Sequence, residues 1–237
     1  MKHTFFKSFI PIAAGLILVG TGCQKLQEFG DTNVNPLGST SPITSALLTN
    51  AQVGLGGTAS QLRPGLYVQY ISETQYTDVS LYQDPRLEFG GIYNGVLEDL
   101  QQIIDRNSNP ATAGAVAGSG SNANQIAVAR IVKAYYFWTI TDRWGDIPYS
   151  EALKGTGSLS PAFDKQEDIY KDLLKELKEA VVQFDAGASV GGDIIFSGDQ
   201  AKWKKAANSL RMMISLRMSK VFPSSGGLAA TEFASAA

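Results

Sequence analysis

The chain has 237 residues, with 20 basic and 22 acidic side chains and a formal net charge of −2. That balance lacks the basic footprint nucleic acid requires and offers anionic lipid no electrostatic pull. It holds one cysteine and one histidine, both near its start, which excludes an internal disulfide and zinc sites built on His and Cys.

Lys2, His3 and Lys7 precede an apolar run over residues 9–19, and Gly20, Thr21 and Gly22 follow it. This is the pattern of a secretion signal with small residues at a cleavage point, predicting a signal peptide over residues 1–22. The run is about half the roughly 20 residues a membrane span needs, and Pro11 interrupts it. Cys23 stands directly after the expected cut, where lipoprotein processing places an acylated cysteine; Gly20 occupies a position where a large aliphatic residue is usual. Two or three acyl chains on Cys23 would anchor the mature chain to a membrane. Removing the signal also removes the single histidine, so His-dependent nucleophile systems are excluded from the mature chain.

Residues 23–42 are polar and rich in Asn, Gly, Ser and Pro, and read as a lipidated tether. Helical periodicity then begins. Short apolar repeats predict helices over 43–53 and 62–73, and 3–4 spacing from Phe89 to Ile104 predicts a stronger one over 87–106. Residues 107–124, dominated by Gly, Ala, Ser and Asn, predict a mobile loop. The helix over 125–143 is apolar nearly all round, as in a helix buried between neighbours. Gly145 and Pro148 stop it. Asp164 and Glu167 have capping-box spacing at the start of a helix over 164–184, with Glu167 one turn before Lys171. Residues 193–196 read as a short extended piece. Asp199 caps a helix over 200–221, and residues 223–237 read as a breaker and the beginning of another helix. Long helices with short connections predict an all-α array of stacked antiparallel pairs.

Three segments stand together: residues 140–153 (ITDRWGDIPYSEAL), 163–170 (FDKQEDIY), and 192–196 (GDIIF) followed by Trp203-Lys204-Lys205 and Asn208-Ser209-Leu210-Arg211. In order and spacing they resemble the SusD/RagB family of outer-membrane nutrient-binding lipoproteins. Asn33-Val34-Asn35-Pro36 is similar to that family's entry segment. The resemblance implies an all-α body of tetratricopeptide-like antiparallel helix pairs with long irregular loops over residues 43–237. Family members are about twice this long, so the chain is expected to be the first part of a longer protein. The resemblance further implies outer-membrane attachment through the lipid on Cys23, with the body exposed at the cell surface, and a SusC-type TonB-dependent β-barrel as partner. It implies capture of oligosaccharides, or of peptides, without catalysis and without a cofactor or metal.

Few residues announce a ligand site. Trp144 and Tyr149 read as corner packing rather than a sugar platform, residues 135–138 (YYFW) as core, and Met212, Met213 and Met218 as gap fillers. Arg211 and Arg217 read as paired or solvated arginines rather than an anion clamp. Tyr67, Tyr70, Tyr76 and Tyr82, among Gln69, Glu73, Gln75, Asp78, Gln83 and Asp84, mark either a ligand or barrel contact or a solvated loop. An anchored α-helical glycoside hydrolase is the alternative from another class. Glu73 with Asp78, or Asp142 with Asp146, could be its acid pair, which chemistry requires about 5–10 Å apart.

Overall fold

A computed structural model describes residues 42–83 and 88–237. Cys23, the signal, the tether up to residue 41, Asp84 and Leu87 lie outside the described residues. Pro42–Ala237 forms one compact unit. Its helices in chain order are α1 (Thr44–Ala59), α2 (Leu62–Tyr67), α3 (Gly90–Ile92), α4 (Glu98–Ser108), α5 (Pro110–Val116), α6 (Asn122–Trp144), α7 (Gln166–Gln183), α8 (Gln200–Met218) and α9 (Leu228–Ala236). Two short strands, β1 (Ile147–Pro148) and β2 (Phe163–Asp164), pair antiparallel with Ile147 opposite Asp164.

The fold is all-α, as the periodicity predicts, and α6 is its axis. Helix α4 packs on one side of α6, α7 on the other, and α8 and α9 continue outward from α7. Side-chain pairs fix the directions. Gln101 meets Lys133 and Asn107 meets Gln125, so α4 and α6 run antiparallel. Arg130 reaches Glu176, Glu179 and Gln183, while Gln166 reaches Thr141, so α6 and α7 do too. Lys204 over Phe184 and Lys171 over Phe222 give α7 and α8 the same relation.

The apolar circumference of α6 explains its position. Val128, Ile131, Val132, Tyr136, Phe137 and Ile140 are all buried, packed with Leu97, Leu100 and Ile103 on one side and Ile169, Leu173 and Leu177 on the other. Fully burying each such side chain contributes about 1.5–3 kcal/mol. Residues 135–138 are therefore core as expected, with Tyr135 the most exposed of the four. The Tyr136 hydroxyl donates to the Ala51 carbonyl of α1 at 2.6 Å, and burial pushes its pKa up to about 12.

Four expectations need correction. Residues 107–124 are not a mobile loop: Pro110 at the first position and the Asn109 side chain, which accepts from Ala111 N, start α5. A 3₁₀ turn over Ala117–Ser119 follows, and Gln125 donates back to the Val116 and Gly120 carbonyls. The helix expected over 87–106 is interrupted by a π-helical stretch, Tyr93–Leu97, where Gly95 leaves helical geometry. The helix expected over 62–73 ends at Tyr67. Residues 193–196 form turns around the Asp193 carboxylate, not an extended piece.

Candidate functional site

The corner between α6 and α7 carries the densest sequence motif. Gly145 takes φ +74 directly after Trp144, a left-handed conformation suited to glycine, and Thr141 Oγ1 donates to its carbonyl at 2.7 Å. The Trp144 ring meets Phe89 edge-on at 5.4 Å. Tyr149 stands edge-on to Phe137 at 4.7 Å and donates to Asp172 Oδ2 at 2.7 Å. Burial, then Asp172, raises the Tyr149 pKa far above that of a free phenol.

The acids of the motif are committed to this corner. Asp146 Oδ1 accepts from Gln166 N at 2.9 Å and so satisfies the open start of α7. Asp164 does not cap that helix, contrary to the capping-box expectation; the residue at the cap is Lys165, without a side-chain bond. Instead Asp164 accepts from Tyr149 N, Ser150 N and Ser150 Oγ. Desolvation would raise its pKa, but the Ser150 and Tyr149 donors and the nearby Lys154 hold it below the ordinary value. Asp142 accepts from the Tyr170 hydroxyl and pairs with Arg217 at 3.0 Å. Asp142 and Asp146 are thus both bound in structural roles. Arg211, buried, pairs with Glu232 at 2.6 Å and also reaches Ser235 and Asn208. Both arginines are paired, as expected. Met218 is buried and Met212 half-buried, but Met213 is exposed and fills no gap.

The tyrosine segment after α2 presents the aromatic groups to solvent. Tyr67 Oη donates to the Gln83 carbonyl at 2.7 Å, and its ring lies 5.8 Å from that of Tyr82. Gln69 Nε2 donates to Tyr82 Oη at 3.3 Å, and Glu73 N donates to Ser80 Oγ at 3.0 Å. Backbone bonds from Leu81 N to Thr77 O and from Gln83 N to Asp78 O coil the far side. Gln69 and Tyr82 hold positive φ, at 60° and 64°. These bonds tie together a stretch that has little helix. Tyr70 is 88% exposed and Tyr76 77%. Beside Tyr70 is a hollow of about 310 Å³ lined by Leu66, Gln69, Ile71, Ser72 and Ser80 as well. An open aromatic face next to amide and hydroxyl groups suits a sugar ring, which has apolar faces and a polar edge.

Lys133, which the sequence reading passed over, lies one turn from Arg130 on α6 and lines one cavity with it. This i, i+3 pair of charges within a mostly apolar helix was the available sequence signal. Among the described residues no group of three or more His, Cys, Asp or Glu could hold a metal ion, and no helix is long and apolar enough to cross a membrane.

Residues 36–237 match a family model of SusD-like proteins, described as starch-binding and associating with the outer membrane. Among solved structures, a chitin-binding protein is 31% identical with a TM-score of 0.66, covering 81% of this chain and 42% of its own. A SusD-like protein designated Bacteroidetes AC2a is 29% identical with a TM-score of 0.65, covering 82% of this chain and 36% of its own. A SusD homolog from Bacteroides fragilis NCTC 9343 shares the fold at 24% identity and a TM-score of 0.67, covering 82% of this chain and 40% of its own. The chain thus spans about two fifths of the length of these relatives. No curated protein matches it. The helical pairs, the committed corner and a family match across all the described residues lead to one conclusion: the chain belongs to the SusD-like family.

Proposed function

We propose that this chain is the oligosaccharide-capturing body of an outer-membrane lipoprotein, moored by an acylated Cys23, that passes its ligand to a SusC-type TonB-dependent barrel without cleaving it. The family description as starch-binding and the chitin-binding relative support a carbohydrate ligand. The observation that carries the reading is the exposed Tyr70 ring beside a hollow lined by Gln69, Ser72 and Ser80 as well as Leu66 and Ile71, on a bonded segment that also exposes Tyr76. The roles already held by Asp142 and Asp146 argue for binding over hydrolysis by that pair.

The test is calorimetric titration of chito- and malto-oligosaccharides into the full chain, beside a Tyr70→Ala/Tyr76→Ala variant. Truncating two exposed rings should leave folding intact and weaken oligosaccharide affinity roughly tenfold or more, a loss of about 1.4 kcal/mol. Unchanged affinity in the variant, or release of reducing ends by the wild type, would overturn the reading. For the anchor, intact mass of membrane-extracted protein should show a chain beginning at an acylated Cys23; an unmodified residue 23 would remove it.

A further inference from the structure

A second cavity, of about 290 Å³, opens where α4, α6 and α7 meet the turn after β1. Ligand pockets span roughly 300–1,000 Å³, so this one suits a single ring rather than a chain of them. Phe137, Ala152 and Leu153 give it apolar surface, and Gln101, Tyr149 and Ser150 give it hydrogen-bonding groups.

Its charges are unevenly satisfied. Asp172 accepts from Tyr149 at 2.7 Å and lies 3.9 Å from Lys175. Glu176 is gripped by two nitrogens of Arg130, at 2.8 and 2.9 Å, and Arg130 also binds Glu179 and Gln183. Both wall carboxylates therefore have their donors. The ammonium groups do not have matching acceptors. Lys133 Nζ donates to one neutral acceptor, Gln101 Oε1 at 2.7 Å, and among the described residues forms no ion pair. Lys154, on the exposed rim, likewise forms no ion pair among them, although its charge is felt by Asp164. A desolvated ammonium with spare donors attracts an anion more strongly than a solvated one does.

We propose that this cavity is a subsite for one acidic sugar unit, a uronate, whose carboxylate is held by Lys133 and Lys154 while its ring lies along Leu153 and Ala152. The proposal rests on the glycan-binding reading and extends it to a substrate class. Burial lowers the Lys133 pKa below its ordinary 10.5; Glu176 and Asp105 pull it up, Arg130 pushes it down and Asp172 pulls it up. Lys154 on the facing turn adds a further positive charge. A bound carboxylate favours the charged form of Lys133. Binding should therefore raise the Lys133 pKa, and affinity should fall as pH rises through it.

Calorimetric titration of glucuronate, glucose and inorganic phosphate into the full chain tests this. Glucuronate is expected to bind saturably and at least tenfold more tightly than glucose or phosphate. Lys133→Met should abolish that preference, and Lys154→Met should weaken it several-fold; should the first variant fold poorly, the rim variant carries the test. Lysine side-chain NMR should show the Lys133 titration moving upward on adding glucuronate. Glucuronate binding no tighter than glucose, or unaltered by both substitutions, would overturn the proposal, and phosphate binding as tightly would overturn the sugar assignment. The Tyr70→Ala/Tyr76→Ala variant separates the two sites. Loss of oligosaccharide binding with glucuronate binding retained concerns the tyrosine segment alone. Oligosaccharide binding without a glucuronate preference sinks this subsite alone.

Discussion

Replacing Asp193 by alanine should lower the unfolding free energy by about 3 kcal/mol or more, read from urea denaturation of the full chain. Asp193 is 7% exposed, yet its carboxylate accepts from five donors. Oδ2 takes the Trp203 indole N–H at 2.7 Å and Gly198 N at 2.8 Å. Oδ1 takes Gln52 Nε2 at 2.9 Å, Ile195 N at 3.0 Å and Phe196 N at 3.3 Å. One side chain thus joins α1, the turn after α7 and the first turns of α8. Alanine would leave these donors without an acceptor, which costs more than the bonds contribute when formed. Gln52 Oε1 would keep its bond from Ile194 N, so the loss is centred on the carboxylate.

The same group links stability to acid. Burial raises the Asp193 pKa, but the Trp203, Gly198, Ile195 and Gln52 donors outweigh it and hold the pKa below the ordinary 3.8. A carboxylate with a depressed folded pKa contributes stability that is fully present above its unfolded value. That contribution is lost as pH falls through the folded one. Wild-type stability should therefore decline below about pH 4 more steeply than that of Asp193→Asn, which cannot take up this proton. Parallel acid profiles for the two proteins would refute the assignment.

The second large effect is expected one residue earlier. Gly192 has φ +77, and a Cβ there would lie 2.1 Å from the Ser45 carbonyl oxygen and 2.7 Å from its carbon. Both atoms belong to the backbone of α1, so no side chain can rotate aside. The Gly192 carbonyl also accepts from Thr49 Oγ1 at 2.7 Å, which fixes the approach. Gly192→Ala combines left-handed strain of about 1 kcal/mol with a backbone displacement that overpacking data place at about 1–3 kcal/mol or more. The urea midpoint should fall sharply. Gly56→Ala, in α1 with nothing within 4 Å of the added carbon, is the control; it should be neutral or stabilising by up to about 1 kcal/mol. Equal behaviour of the two variants would mean that Gly192 is not pressed against α1.

Local signals carried much of the fold. The Asp199 cap is present, with Lys202 N at 3.1 Å, because an N-cap needs only a side chain and a backbone three residues on. The Glu167–Lys171 pair forms for the same reason. The 3–4 spacing of Tyr170, Leu173, Leu174, Leu177, Val181 and Phe184 marks one face of α7; the first four are buried and the last two half-buried. Failures occurred where a distant group supplied what the local pattern lacked. Asp164 has capping-box spacing but turns to Tyr149 and Ser150, while Asp146, from the turn after α6, accepts from the α7 amide of Gln166. Residues 107–124 have loop composition, but the buried Gln125 amide donates to the Val116 and Gly120 carbonyls, holding the end of α5 and the turn after it, and Asn107 at the end of α4 donates to Gln125 Oε1. The helix expected over 200–221 ends at Met218, and Val221 lies past its end, 65% exposed.

The sequence alone determined the helical class, the buried axis at α6 and the motifs that place the chain in its family, because periodicity and spacing are written in consecutive residues. Only the tertiary structure decided which carboxylates are occupied, that Asp193 gathers five donors, and that Lys133 faces a cavity with one neutral partner. Those outcomes depend on which charges and donors from separate helices meet out of water. Burial there makes a missing partner costly, and no single segment of the chain encodes the meeting.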